Sequence, residues 1–487
     1  MKRLSTFMLV VAIVALSACT PVWAAAAAPE DAKELVRNPT FAAEGQGGLP
    51  AEWAVWKPLW ENAAVAFRRT DSGLCAGAQE PYAVGGVWQD LAGIKAGQAY
   101  AVKAECELTG VKRPAGAVLV RMMWMKGKQQ AHPAGMLVRL KASDDAKLQR
   151  IVFEDCLIAP PEAGGARLSL EVKWPEGGTV LWKRVSVQPC DPPPPRKVKI
   201  GTVYLRPKNS TPEKNLDLWT AKIDEAGKLG LDIVCLGETI MAVGTQKNAA
   251  DVAEAIPGPT TERLGAAARK NHLWVVAGLM ERVGDRLYNT AVLLDRDGRL
   301  AGKYRKVHLP REEWQKGITP GDTYPVFKTD FGTIGIQICY DWFFPEAAEI
   351  FALHGAEILL APTWGDTQPD AEGRAQGETV FRTRARDNGL YLVPCVYDGH
   401  SMVIDPMGRI LASNAGLPAI AASSAGAASA AAAGLAAAGA EGVFWAEVDL
   451  SKRECLPWVG EWRQVGWRDR MPGTYAPLLS DPSRQGP

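Results

Sequence analysis

Three stretches of this chain place a reactive side chain at or just beyond the end of an apolar run. Leu231-Asp232-Ile233-Val234-Cys235-Leu236-Gly237-Glu238 ends abruptly in a carboxylate. Tyr304-Arg305-Lys306-Val307-His308-Leu309-Pro310 carries a lysine in a basic segment stopped by proline. Phe331-Gly332-Thr333-Ile334-Gly335-Ile336-Gln337-Ile338-Cys339-Tyr340-Asp341 puts a cysteine just after a β-branched run, and a helix-like stretch, Pro345 to His354, follows. A strand that turns sharply into a helix holds a side chain near the helix N-terminus, where the dipole lowers a thiol pKa and favours the thiolate. A thiolate is a nucleophile, a carboxylate can take and return a proton, and an ammonium can meet charge developing on oxygen. Taken singly, each segment has a plainer explanation: a solvated acid at a strand end, a surface lysine, an inert buried cysteine. Together, in the order Glu, Lys, Cys, they look much less like chance.

The elements that must position these groups fall in the second half of a 487-residue chain, a length that suggests two domains. Residues 190–197 mark the boundary, because Cys190-Asp191-Pro192-Pro193-Pro194-Pro195 makes a stiff extended spacer. After it, strand-like runs alternate with helical spacing: Val198 to Leu205, Leu216 to Leu229, Leu231 to Leu236, Glu262 to Asn271 and Leu273 to Leu279. That alternation predicts an α/β domain over 198–472. Thr290 to Asp295 and Arg299 to Tyr304, joined at Asp297-Gly298, read as a hairpin, so the sheets are not purely parallel. Ser401 to Leu411 and Val443 to Leu450 read as strands flanking an Ala-, Gly- and Ser-rich insertion at 415–441. The stretch Trp458 to Pro487 reads as an irregular tail over the α/β domain. Before the boundary, residues 33–189 read as all-β. Short runs at Ala99 to Leu108, Ala117 to Met125, Arg150 to Ile158, Arg167 to Trp174 and Thr179 to Val187 are punctuated by Gly, Pro and Asp, which predicts a β-sandwich.

Residues 198 to about 411 and 442 to 472 resemble the nitrilase, or carbon–nitrogen hydrolase, superfamily. The resemblance rests on Cys235-Leu236-Gly237-Glu238-Thr239, Tyr288-Asn289-Thr290-Ala291, Tyr304 to Pro310, Thr319-Pro320-Gly321-Asp322, and Ile338-Cys339-Tyr340-Asp341 with Phe344-Pro345-Glu346. One departure is Gly237, where the family commonly has proline before the glutamate. The resemblance implies a four-layer αββα sandwich and an acyl-enzyme mechanism. In it Cys339 attacks an amide-like carbonyl, Glu238 moves the protons and Lys306 stabilises the oxyanion. It also implies a second glutamate after the lysine; Glu312 and Glu313 are available, and the spacing of Glu313 to Gly317 and Gly321 favours it. His308 belongs to the lysine motif and is expected to be structural. Tyr340-Asp341 resembles the amidase and carbamoylase branches, whereas nitrile-cleaving members more often have Trp-Glu. A small amide or N-carbamoyl substrate is therefore expected, with nitrile hydrolysis as an alternative. Tyr340, Trp364, Tyr397 and Phe343 are expected at the substrate, and Trp342 in packing. No metal or organic cofactor is implied. The family suggests a homo-oligomer.

Residues 33–189 resemble a galactose-binding-like, carbohydrate-binding jelly roll. The supporting residues are Leu35 to Phe41, Pro50-Ala51-Glu52-Trp53, and the ending Thr179 to Val187. Trp53, Trp56, Trp60, Trp88 and Trp124 are candidates for stacking on a glycan, although such tryptophans more often serve packing. A surface-anchored glycan-binding protein with an accessory hydrolase domain is the alternative class. Intact Glu238, Lys306 and Cys339 argue against degeneracy.

The N-terminus reads as an export signal over residues 1–24: Lys2 and Arg3, then an apolar run from Phe7 to Leu16, then small residues. Leu16-Ser17-Ala18-Cys19 resembles a bacterial lipobox, which would lipidate Cys19. Val22-Trp23-Ala24 resembles an ordinary cleavage site. Either way a periplasmic or cell-envelope location is expected, with membrane contact only through the lipid anchor. Nine scattered cysteines without a CxxC pair make a zinc site improbable, and export would permit disulfides that the sequence does not pair. A formal net charge of +1, with no basic run interleaved with aromatics, points away from nucleic acid.

Overall fold

A computed structural model describes residues 29, 32–78, 80–131, 135–141, 150–365, 376–415, 440–456 and 459–479. The export signal, Cys19 and nearly all of the Ala-rich insertion lie outside the described residues.

In the first half, the period-2 pattern of the sequence becomes two antiparallel six-stranded sheets. Strand Ala99–Thr109 shows why they pack: Tyr100, Val102, Ala104, Cys106 and Leu108 alternate inward and are all buried. Apolar residues from both sheets, including Val87, Val120 and Leu170 of one and Val102, Phe153 and Val185 of the other, form one core. The tryptophans divide. Trp53 and Trp124 are buried and so unable to stack on a ligand, and Trp88 lies under the Arg167 guanidinium at 3.7 Å. Trp56 is partly buried, whereas Trp60 is 70% exposed.

The second half holds two further six-stranded sheets. In the first, Lys197–Tyr204, Ile233–Cys235 and Trp274–Val283 run parallel, and Gly442–Asp449, Arg286–Leu294 and Leu300–Arg305 complete it antiparallel. In the second, Thr333–Ile336, Ile358–Gly365 and Tyr391–Asp398 are parallel. The sheets meet face to face: the Thr202 hydroxyl donates to the Pro394 carbonyl at 2.8 Å, and the Cys395 thiol to the Val203 carbonyl at 2.9 Å. Helices Pro212–Lys228 and Pro259–Asn271 pair on the first sheet, and Pro345–Leu353 and Gln376–Asn388 pair on the second side, giving the αββα order. Helix Pro212–Lys228 starts where Thr211 caps the Lys214 amide and proline occupies the first turn. It buries Leu216, Trp219, Ile223 and Ala226, spaced three or four apart.

Two sequence expectations change. The run Ser401 to Leu411 is not one strand but a hairpin, Met402–Ile404 and Ile410–Ser413. Its turn is closed by Asp405, whose Oδ1 accepts from the Met407 and Arg409 amides, and by Gly408 at φ +76°. The tail does not merely cover the α/β half. Residues 459–479 bridge both halves: Lys173 reaches Asp469, Arg113 donates to the Arg470 carbonyl at 2.8 Å, and Arg470 pairs with Glu349 at 2.9 Å. Arg453, buried between Asp155 and Glu461, joins the same seam. No helix among the described residues is long and apolar enough to cross a membrane.

Candidate active site

Glu238 and Cys339 lie beyond the carboxyl ends of parallel strands, where an open α/β sheet leaves backbone free of the ladder. Glu238 follows strand Ile233–Cys235. Its backbone approaches Gly278 of the next strand so closely that a Cβ there would fall 2.7 Å from the Glu238 Cα. Cys339 follows strand Thr333–Ile336, and Trp364 is the last residue but one of strand Ile358–Gly365. Lys306 follows the antiparallel strand Leu300–Arg305, fixed by its amide on the Asn289 carbonyl at 2.9 Å.

Glu238 is 3% exposed and Lys306 1%. The Lys306 ammonium lies 3.1 Å from Glu238 Oε1 and 2.9 Å from Glu313 Oε2. Of the two candidate second glutamates, the structure brings Glu313 to the lysine, while Glu312 is exposed. Three donors hold the Glu238 carboxylate: Lys306, Asn289 Nδ2 at 2.7 Å, and the Trp364 amide at 2.7 Å. Asn289 Nδ2 also donates to Glu313 Oε1 at 2.6 Å, so one amide group spans both carboxylates.

Burial would lower the Lys306 pKa, but the carboxylates beside it, Glu238 foremost and Glu313 after it, outweigh burial and hold the group above the ordinary lysine value. Burial raises Glu313, and Glu238 adds to this against the pull of Lys306. The Cys339 thiol is pushed up to about 12, first by burial and then by Glu238, with Lys306 pulling the other way. This corrects the thiolate expectation. The expected helix is present as Pro345–Leu353, but the five-residue 3-10 turn Cys339–Phe343 separates Cys339 from its N-terminus, and the dipole's effect falls off within the first turn. Burial and the neighbouring Glu238 thus disfavour the Cys339 thiolate. Its residue holds φ +42°, a left-handed conformation unusual for a side chain-bearing residue, which marks a backbone held by its surroundings.

The holder is Asp341. Fully buried, it accepts from the Ile338 amide at 2.9 Å, the His308 amide at 3.0 Å and the Tyr304 hydroxyl at 2.8 Å. His308 Nδ1 lies 2.9 Å from the same carboxylate, and its ring stacks on Phe344 at 3.9 Å. Asp341 thus ties the nucleophile turn to the lysine segment, and His308 sits in that structural tie.

Tyr340 packs beside Phe343 and Phe344, and Trp364 is 38% exposed with its ring edge-on to Tyr397 at 5.4 Å. A small recess, walled by Trp342, Thr363, Gly365, Phe381, Val396 and His400, adjoins the turn that carries Cys339. Trp342, expected in packing, is 4% exposed between Phe343 and Phe381 and forms part of that wall. Phe343 is 47% exposed. Tyr397 departs from its expected place in the pocket. It is 1% exposed, and its hydroxyl donates to the Glu238 carbonyl at 2.7 Å, so it supports the carboxylate from below. Gly237 makes this possible: a Cβ there would fall 2.5 Å from Cζ of Tyr397 and 2.7 Å from Cε1. Where a proline would stand, this chain seats a tyrosine ring.

Asn289, the Trp364 amide and the tying role of Asp341 were not singled out from sequence. Asn289 lies within Tyr288-Asn289-Thr290-Ala291, where a polar residue in a buried run was the available signal. The Trp364 amide is backbone and leaves none.

The family model described as carbon-nitrogen hydrolase matches residues 199–420. The omega-amidase NIT2 of Mus musculus is 32% identical over 222 residues, 42% of this chain and 79% of that protein. A chloroplastic omega-amidase of Arabidopsis thaliana is 31% identical over 310 residues, 58% of this chain and 82% of that protein. A nitrilase of Pyrococcus abyssi is 34% identical over 229 residues, 44% of this chain and 84% of that protein. With the family's span and these relatives matched over most of their length, the chain belongs to the carbon–nitrogen hydrolase family.

Proposed function

We propose that this protein is an amidase that hydrolyses a small, non-peptide amide or N-carbamoyl bond through a thioester on Cys339. The observation that carries the reading is the buried Lys306 ammonium held between Glu238 and Glu313 beside the nucleophile turn. The relatives named as omega-amidases support amides over nitriles.

The Cys339 sulfur attacks the carbonyl carbon as its proton passes to the Glu238 carboxylate. The carbonyl oxygen takes up negative charge and Lys306 stabilises it in a site shielded from water. Collapse breaks the carbon–nitrogen bond, and Glu238 returns its proton to the departing amine. Water then attacks the thioester, giving its proton to Glu238, and the carboxylic acid leaves as the thiol is restored. A thiol with a raised pKa suits this sequence, because proton transfer is coupled to attack rather than completed before it. Glu313 balances the charge of Lys306, and Asn289 keeps the two carboxylates apart.

Ammonia release from a panel of small amides, N-carbamoyl amino acids and nitriles tests the reading. Release from an amide or carbamoyl compound is expected, abolished in Cys339→Ala and reduced ~100- to 1,000-fold in Lys306→Ala. A folded protein silent across the panel sinks it.

Two proposals concern the rest of the chain. Residues 1–24 direct export, with a lipid on Cys19; fatty-acid labelling that persists in Cys19→Ala would refute the anchor. The N-terminal half, read as galactose-binding-like, binds a glycan through Trp60, the one of its five candidate tryptophans that is exposed. Retention of the full chain on a polysaccharide column, lost in Trp60→Ala, is the expected result.

A further inference from the structure

Two thiols outside the catalytic site touch. The sulfurs of Cys156 and Cys190 lie 3.4 Å apart, and among the described residues no other two cysteine sulfurs make such a contact. Cys156 lies on strand Arg150–Ile158 and Cys190 ends strand Thr179–Cys190. Both strands flank Ala99–Thr109, with Cys156 opposite Ala101 and Cys190 opposite Ala99. The small methyl groups of these two alanines let the side chains converge across the intervening strand. Cys190 is also the last residue before Asp191 and Pro192–Pro195, so its backbone is where the chain leaves the first half for the second.

We propose that Cys156 and Cys190 are a disulfide-forming pair, a covalent staple that fixes the start of the proline spacer to the sheet. Closing the bond requires the sulfurs to approach from 3.4 Å to about 2.05 Å; because a whole strand separates the two cysteines, side-chain rotation does not suffice and the end of strand Thr179–Cys190 must move toward Cys156. The oxidant is a small-molecule disulfide. Cys156, the more exposed of the two, loses its proton and attacks one sulfur of that disulfide, releasing one thiolate and leaving a mixed disulfide. Cys190 then loses its proton, and its sulfur attacks that of Cys156 and expels the second thiolate. The two protons end on the two released thiols, and two electrons pass from the cysteines to the small disulfide. Burial pushes Cys156 up to about 12, with Cys190 adding to the rise, and burial also raises Cys190. The reactive thiolate is therefore scarce near neutrality, and the reaction quickens about tenfold per pH unit across the neutral range. The staple closes a loop within the first half only, so it does not depend on the proposed catalytic chemistry.

The test uses the reduced full chain, incubated with oxidised glutathione at mildly alkaline pH, then denatured with an alkylating reagent. The expected product is lighter by two hydrogens before alkylation, carries two fewer alkyl groups, and yields one cross-linked peptide pair containing Cys156 and Cys190. Its denaturant midpoint rises on oxidation in the wild type and not in Cys190→Ser. Complete alkylation of both residues, a mixed disulfide that persists at Cys156, or a link between any other two cysteines overturns the proposal. The comparison of oxidised with reduced wild type stands even if a variant fails to fold.

Discussion

Gly237→Ala is the substitution that most directly probes how this chain holds Glu238, the proposed general base. An added Cβ would fall 2.5 Å from Cζ of Tyr397 and 2.7 Å from Cε1, well inside ordinary contact. Relief requires the ring to move by about 1 Å, in an interior packed to near-crystalline density. The ring has little room, since Trp364 meets it edge-on at 5.4 Å and Trp219 lies at 6.1 Å. Moving it breaks the bond from its hydroxyl to the Glu238 carbonyl and presses on Trp364, whose amide donates to the Glu238 carboxylate. Overpacking costs about 1–3 kcal/mol and a buried carbonyl left without its donor about 1–3 kcal/mol, giving about 2–6 kcal/mol in stability. A displaced general base lowers kcat by tenfold or more, with KM less affected. Denaturant unfolding and ammonia release read the two effects. In the Tyr397→Ala background the clash is gone, so Gly237→Ala should cost little there, and a double-mutant cycle should show strong coupling. Wild-type stability and kcat in Gly237→Ala, or strict additivity with Tyr397→Ala, would refute the reasoning.

Three further outcomes follow from the same geometry. Asn289→Ala removes the donor shared by Glu238 and Glu313, and kcat should fall by about tenfold or more with the fold retained; an unchanged kcat would remove Asn289 from the machinery. Asp341→Asn keeps the shape but sets an amide against donors from His308, Tyr304 and Ile338, and should cost about 2–3 kcal/mol in unfolding free energy along with activity. Acid stability provides the third. Burial alone would raise Glu281 and Glu461, but Arg305, Lys303 and Thr290 at the first, and Arg453 and Arg139 at the second, hold each down to about 2. A carboxyl depressed in the folded state stabilises above its unfolded value near 4.5, and that contribution is lost as pH falls from there toward 2. Unfolding free energy measured over that window should drop steeply in the wild type and less steeply in Glu281→Gln; equal slopes would count against it.

The framework of this protein is largely local, and so was readable. Period-2 runs such as Ala99 to Leu108 become strands because alternate residues face one core. Proline and threonine at 211–212, and the four prolines at 192–195, act on their own backbone. The hairpin at 402–413 was missed even though its signal, Asp405-Pro406-Met407-Gly408, was equally local. Apolar residues on both sides of that turn hid it, because both arms are buried.

Glu238, Lys306, Cys339 and Glu313 were named by motif, since their order and neighbours persist in the linear chain. What joins them does not. Glu238 and Lys306 are 68 positions apart and meet only because the strands that precede them, Ile233–Cys235 and Leu300–Arg305 of one sheet, end at one place. Asn289 is an ordinary polar residue until it lies between two carboxylates, and the Trp364 amide has no side chain to read. Tyr397 carried the opposite error: its type suggested a substrate contact, and its burial made it a prop for Glu238. The thiol shows the same division. Sequence placed Cys339 at a helix start and so favoured the thiolate, but pKa depends on the surrounding dielectric and the nearby charges. Those are set by desolvation and by Glu238, and only the tertiary packing supplies them.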